Sequence, residues 1–236
     1  MHLVVDYRGR ELAGVVRPGE SWAAAARRTA AMIQGSDPVP VDLSGEVKRF
    51  VLDHDTRITI RAMTRGDLQD VVVWRSDPEV IRWWTPGELT DRATIEAKYA
   101  ERVDGLSPTR MWVVEINGRS VGFVQDYRIG DYPDYALLGP DPDAIGIDYL
   151  IGEPAWVGQG LGTRMLWAWM SRARDRFADA SAYFAAPDHR NAASRRILLK
   201  AGFTEGVWFD EPQEDGTVTT MVAHTLDVPR VIGRAT

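Results

Sequence analysis

Apolar residues recur along this chain in two rhythms, and the rhythm changes often. In "AIGIDYLI", residues 144–151, they alternate, so Ile145, Ile147, Tyr149 and Ile151 share one face of a strand. Gly146, Asp148 and Leu150 share the other face. The same alternation predicts strands in "RITIRAM" from Arg57, in "ASAYFAA" from Ala180, and in a final pair at Val207–Phe209 and Thr217–Leu226. "MWVVEINGRSVGFVQDY" from Met111 predicts a hairpin turning at Asn117-Gly118. Elsewhere the spacing is helical. "TRGD" at Thr64–Asp67 has the form of a capping box and opens a helix to about Arg75. "DRATIEAKYAERV" from Asp91, the stretch from Gln159 to about Arg176, and "DHRNAASRRILLKAG" from Asp188 predict three more helices. Interleaved strands and helices of this kind build an α/β fold around a mixed sheet.

The first 56 residues stand apart. "HLVVDY" and "RELAGVV" predict a hairpin around Arg8-Gly9, "ESWAAAARRTAAMIQG" an Ala-rich helix ending at Gly35, and "SDPVPVD" a linker or turn. The sequence thus predicts two parts. Residues 1–56 form a hairpin-helix extension or small accessory domain, and residues 57–236 form the main domain.

Composition narrows the chemistry. The chain has 236 residues, 44% hydrophobic and 26% charged, as in an ordinary globular protein. Its net charge of -6 argues against a general nucleic-acid binder. The absence of cysteine removes disulfides, thiolate metal sites and a Cys nucleophile. His2, His54, His189 and His224 have no metal-ligand spacing, so no metal site is expected. No apolar run is long enough to span a bilayer and no signal-peptide pattern opens the chain, so a cytoplasmic protein without a membrane partner is expected, as a monomer or homodimer.

Two features carry candidate chemistry. "VGQGLGT", residues 157–163, places Gly158, Gly160 and Gly162 where a helix begins. A helix N-terminus offers unpaired N–H groups and partial positive charge, and glycines let an anion come close. The spacing fits neither a P-loop nor a dinucleotide fingerprint. The residues alone allow a phosphate cradle or a ligand-free turn. Asp148 is the second feature: a carboxylate in an apolar strand, beside a glycine that leaves room for a ligand. It either pairs with a structural arginine or faces a cleft that receives a cation.

Motifs in combination resolve these alternatives. "VGQGLGT" resembles the pyrophosphate loop of the GCN5-related N-acetyltransferases (GNAT), with Val157 where that family usually has Arg or Gln. "NAASRRILLKAGF" from Asn191 resembles a second signature of the family, and the order of elements from Arg57 onward is similar. "IRWW", "INGRSVGFVQDY", "GIDYLI", "GQGLGT" and "KAGF" resemble the aminoglycoside 6'-N-acetyltransferase branch. The resemblance spans roughly residues 57–226 and implies a GNAT-like acyl-CoA N-acyltransferase fold.

It also implies roles. Acetyl-CoA would be the co-substrate, held by Val157, Gly158, Gly160, Gly162 and Thr163, with Asn191 near the pantetheine and backbone N–H groups after Asp148, near Leu150, polarising the thioester. Asp148 would contact the amine being acetylated, position it and relay its proton, without an acyl-enzyme. Gln125, Asp126, Asp131, Asp134 and Trp84 would line the site of a polycationic small-molecule amine, most simply the 6'-amine of an aminoglycoside, with Trp83, Tyr132 and Tyr135 nearby. The family's signature helix usually offers a tyrosine to the leaving thiolate. Here that position is Leu198, and Tyr183 and Ser194 are the substitute donors the sequence offers. Two rivals are a siderophore-type lysine N-acyltransferase, disfavoured by Asp148 where that branch has histidine, and a catalytically idle CoA-binding module.

Overall fold

The computed structural model describes residues 2–7, 10–16, 18–20, 25, 47–52, 57–84, 90–133, 141–158, 160–213 and 216–232. The chain divides into two units, residues 1–57 with 227–236, and residues 58–226.

In the first unit, β1 (His2–Tyr7) pairs antiparallel with β2 (Arg10–Val15), with Tyr7 opposite Arg10. The turn at Arg8-Gly9 and most of the predicted helix from Glu20 to Gly35 lie outside the described residues. A third strand, β3 (Val47–Leu52), runs parallel to β1. Sequence reasoning misses it because "VKRFVL" does not alternate.

The second unit is built on a seven-stranded sheet in the order β4-β5-β6-β7-β8-β10-β9. Its strands are β4 (Ile58–Ala62), β5 (Arg110–Ile116), β6 (Arg119–Arg128), β7 (Ile145–Ile151), β8 (Ala182–Ala185), β9 (Thr204–Pro212) and β10 (Val218–Asp227). Between β4 and β5 come α1 (Leu68–Arg75), α2 (Pro78–Trp84) and α3 (Arg92–Val103). Then α4 (Leu161–Arg176) joins β7 to β8, and α5 (Ala192–Ala201) follows β8. The capping box at Thr64 is present, with the Asp67 carboxylate accepting from the Thr64 backbone and hydroxyl at 2.8 and 2.7 Å. Asn117 and Gly118 both take positive φ, as the two-residue hairpin turn between β5 and β6 requires. The helix α2 is not predicted from sequence, because seven residues are too short a window for helical periodicity to stand out. Among the described residues no helix is long and apolar enough to cross a membrane.

Strand alternation assigns each side chain to one of two faces. On the first face, Phe123 and Leu150 join Met111, Val113, Leu68, Val71, Trp74, Ile95 and Tyr99 in one buried cluster with α1 and α3. On the second, Ile145 and Ile147 are buried on the side where Trp169 of α4 reaches β6.

This assignment overturns one expectation. Asp126 is adjacent to Gln125 in β6 and therefore points to the second face, away from Asp148. It is 1% exposed, and it accepts from Trp112 Nε1 at 2.8 Å, Trp169 Nε1 at 2.9 Å and both terminal nitrogens of Arg176 at 2.7 and 3.2 Å. Asp126 is a structural ion-pair centre between the sheet and α4, not a substrate ligand. Its hydrogen-bonding capacity is spent and water is excluded. Asp126→Ala would strand the Arg176 charge and two indole donors, so a loss of about 3 kcal/mol or more is expected in denaturant unfolding. Asp126→Asn, which keeps the shape, should lose less.

Candidate active site

β7 is paired with β6 along its whole length, but with β8 only at Ile145–Tyr183 and Gly146–Phe184. Beyond Gly146 the sheet opens into a wedge between β7 and β8. Asp148 stands at the start of that wedge, half-buried, on the face covered by α1 and α3.

Its neighbours hold it in place. Gln125 lies directly opposite in the ladder and donates Nε2–H to Asp148 Oδ2 at 2.8 Å. Arg102 on α3 donates Nη1–H to Gln125 Oε1 at 2.8 Å. This sets the amide orientation, because a flipped Gln125 would turn its NH2 toward the guanidinium. The Tyr127 side chain also lies near Asp148 and favours its charged form. Burial holds the Asp148 carboxyl above the usual carboxylate range, while the Gln125 bond, the Arg102 charge and the Tyr127 side chain act in the opposite direction. A carboxylate with this raised proton affinity, at the mouth of an opening, can hold an ammonium group and accept its proton.

The space beside Gly146 corrects the sequence expectation of room for a ligand. A Cβ at Gly146 would lie 2.6 Å from Tyr127 Cε2 and 2.8 Å from its Cζ. The Tyr127 ring fills that space, and Gly146 is the cross-strand partner that admits it. Sequence reasoning misses both Tyr127 and Arg102. The signal for Tyr127 is an aromatic residue opposite a glycine, legible only once the register is known. Arg102 carries no signal, since it is one charge among several on an amphipathic helix.

Leu150 is also corrected. Its side chain is 7% exposed and belongs to the core cluster with Phe123. The β6–β7 register is uniform, and the bonds at its ends are Gly152 N–H to Val121 O at 2.8 Å and Ile129 N–H to Ala144 O at 3.0 Å. Antiparallel ladders alternate, so Gly146, Asp148 and Leu150 turn their N–H groups toward β6, Ile147 serves the bridge to β8, and Tyr149 and Ile151 turn theirs toward the wedge. Of the backbone N–H groups after Asp148, those available there flank Leu150 and are not its own.

The wedge leads to the start of α4. Gly158 and Gly160 take φ of +80° and +75°, and a Cβ at either would meet nothing within 4 Å. Their backbone is left-handed and the space above it is open, which suits close approach of an anion to the first N–H groups of α4. Gly162 has another reason for being glycine. A Cβ there would lie 2.5 Å from Ile197 Cδ1, so Gly162 lets α4 pack against α5 rather than admitting a phosphate. Thr163 is largely buried in the same turn, and Val157 is 59% exposed at the loop's entrance. Asn191 caps α5, its Oδ1 accepting from the Ser194 N–H at 3.0 Å. The amide NH2 and the second lone pair of Oδ1 are left for a cofactor.

Other carboxylates in and around the loop before β7 have partners of their own. Arg128 pairs with Asp143 at 3.4 Å, and Glu153 with Arg119 at 3.2 Å. Asp141 accepts from Ser181 at 2.8 Å. Asp131 is exposed on a 3-10 turn after β6, and Asp134 and Tyr135 lie outside the described residues. Trp84 is half-buried, with its ring edge-on to Phe123 at 4.9 Å, two residues from Gln125. Tyr132 shares a hydrogen bond with Thr109 at 2.5 Å. Of the substitute thiolate donors, Tyr183 is fully buried against Trp169 at 4.7 Å, whereas the Ser194 hydroxyl shares a 2.8 Å hydrogen bond with the Tyr149 hydroxyl. Among the described residues no group of three histidine or carboxylate side chains could hold a metal.

Comparison with known proteins supplies context. A family model described as an acetyltransferase (GNAT) domain matches residues 57–204. The chain is 26% identical over 173 residues to aminoglycoside N(6')-acetyltransferase type 1 of Klebsiella pneumoniae, covering 72% of this chain and 81% of that one. Two solved structures of aminoglycoside acetyltransferase AAC(6')-Ib are also similar. One is in complex with coenzyme A, at 25% identity and a TM-score of 0.60, covering 70% of this chain and 94% of that one. The other is in complex with ribostamycin and coenzyme A, at 25% identity and a TM-score of 0.61, covering 70% and 92%.

Two outcomes follow from this geometry. Burial raises the Asp148 pKa in the folded state, so between the unfolded and folded values the folded protein binds more protons than the unfolded chain. The stability contributed by that protonation is present at low pH and is lost as pH rises toward the folded pKa. Asp148→Asn should therefore gain in Tm relative to the parent as pH rises from acid to neutral, in paired thermal melts. The second outcome separates the glycines. Gly160→Val should weaken coenzyme A binding in calorimetry with little loss of stability beyond that of its strained φ. Gly162→Val should lower Tm, and Ile197→Ala added to it should restore much of that loss.

Proposed function

Since the chain belongs to the GNAT family of acetyltransferases, an N-acetyltransferase family that uses acetyl-CoA, we propose that it acetylates a primary amine of a cationic small molecule, most specifically the 6'-amine of an aminoglycoside. The observation that carries this proposal is Asp148, held by Gln125 at the point where β7 parts from β8. In the proposed mechanism the cofactor's phosphates rest on the start of α4, and its acetyl arm runs along the wedge edge of β7. The amine binds as an ammonium ion beside Asp148, loses its proton to the carboxylate, and attacks the thioester carbonyl. The N–H of Tyr149 or Ile151 polarises that carbonyl, and collapse of the tetrahedral intermediate expels the thiolate.

The amine class follows from charge. Asp148 supplies one negative charge, and Asp131 and Asp134 are the loop carboxylates proposed to meet further amino groups. Ring stacking by Trp84 would add a flat contact for a sugar. In the cell such an activity would confer aminoglycoside resistance. Residues 57–236 are proposed to carry the transfer and residues 1–56 to be accessory.

The test is a thiol-release assay with acetyl-CoA and ribostamycin, spermidine or an acyl-hydroxylysine, with the acetylated position identified by NMR. Acetylation of ribostamycin at its 6'-amine is expected. Asp148→Asn should lower kcat by about 100-fold or more with coenzyme A affinity intact. Turnover of spermidine alone would retain the mechanism and reject the aminoglycoside assignment. Full activity in Asp148→Asn would reject the base.

A further inference from the structure

Position 198 on α5 is a fully buried leucine, so that turn of the helix presents no hydroxyl to a departing thiolate. A hydroxyl pair lies one turn earlier. Tyr149, on the second face of β7, reaches across to the first turn of α5, where its hydroxyl and Ser194 Oγ are 2.8 Å apart. Tyr149 is half-buried, unlike Tyr183, and its own backbone N–H points into the wedge. A cofactor arm passing from the start of α4 to Asp148 has to run past this residue, which adjoins Asp148 in the chain.

We propose that the Tyr149 hydroxyl, positioned by Ser194, donates a hydrogen bond to the cofactor sulfur as the C–S bond breaks. The inference rests on the placement of acetyl-CoA proposed above. Asp148 passes the ammonium's first proton on to solvent and then takes the second from the attacking nitrogen, as the tetrahedral intermediate collapses and the C–S bonding pair leaves with sulfur. The thiolate departs hydrogen-bonded to Tyr149 and takes a proton later from solvent, so no other reactant is needed. Burial raises the Tyr149 phenol further above the ordinary range, the Ser194 bond opposes this, and the Asp148 charge adds to it. A phenol so much less acidic than a thiol keeps its proton and acts as a hydrogen-bond donor, not as a full acid. The charged groups on the surrounding elements are Asp148 on β7, Arg195 on α5, which bonds Glu205 at 2.9 Å, and Asp188 ahead of α5, which bonds Arg190 at 2.6 Å. Ser194 is a positioning residue.

The bound cofactor's own thiol reports on this contact without any acceptor. Coenzyme A bound to the protein is titrated by the ultraviolet absorbance of its thiolate. A hydrogen bond to the charged sulfur lowers its pKa, and Tyr149→Phe should raise it by about one unit. Ser194→Ala should raise it less. Affinity for desulfo-coenzyme A, which lacks the sulfur, should stay within about twofold in both variants. Fluorotyrosines at position 149, which keep the packing, should lower the thiol pKa in step with their acidity. An identical thiol pKa in the parent, Tyr149→Phe and the fluorotyrosine series would overturn the proposal and leave Tyr149–Ser194 as a packing contact between β7 and α5. Failure of the unmodified protein to bind coenzyme A would instead overturn the cofactor placement itself, and the proposal with it.

Discussion

The register of β6 against β7 is the constraint on which the rest of the second unit depends. It sets Gln125 opposite Asp148 and Tyr127 opposite Gly146. Because side chains alternate, the same register sends Asp126 to the other face, toward α4. A slip of β7 by one residue would turn Asp148 toward α4, and a slip of β6 would instead turn Asp126 away from α4. Close approaches pin the register at both ends. A Cβ at Gly122 would lie 2.1 Å from Leu150 O, and one at Gly146 would meet the Tyr127 ring.

Two carboxylates on neighbouring strands illustrate how environment divides roles between identical groups. Asp126 is enclosed by indole and guanidinium donors and has no capacity left for a ligand. Asp148 receives Gln125, with Tyr127 nearby and Arg102 held one step away behind Gln125. That indirect placement matters. A guanidinium bonded directly to Asp148 would neutralise it and compete with an incoming ammonium, whereas one bonded to Gln125 orients the amide and leaves the carboxylate's charge for the substrate.

The wedge between β7 and β8 links the carboxylate to the start of α4. Loss of β8 as a partner after the Gly146–Phe184 bridge leaves the backbone donors of Tyr149 and Ile151 without a ladder partner on that edge. An open edge within a sheet is costly unless something completes it, and an extended cofactor arm bearing amides is chemically suited to do so. The left-handed Gly158 and Gly160 keep the far end of this path open for an anion.

The local layer was legible in the sequence. Alternation in "AIGIDYLI", the Asn117-Gly118 turn, the Thr64 capping box and the glycines before α4 are each decided within a few residues, and each element stands where its pattern predicts. The matched motifs also carried the family, because "GQGLGT" and "KAGF" mark helix ends whose chemistry is local. The site's wiring was not legible. Whether Asp126 or Asp148 faces the opening, whether Leu150 or its neighbours offer a free N–H, and which side chain fills the space at Gly146 all depend on pairings between residues some twenty positions apart. Arg102 comes from a different helix again. Sequence periodicity determines which residues of one strand share a face. Only the packed sheet decides what stands across from them, because ladder register and helix docking are set by contacts that no single segment contains.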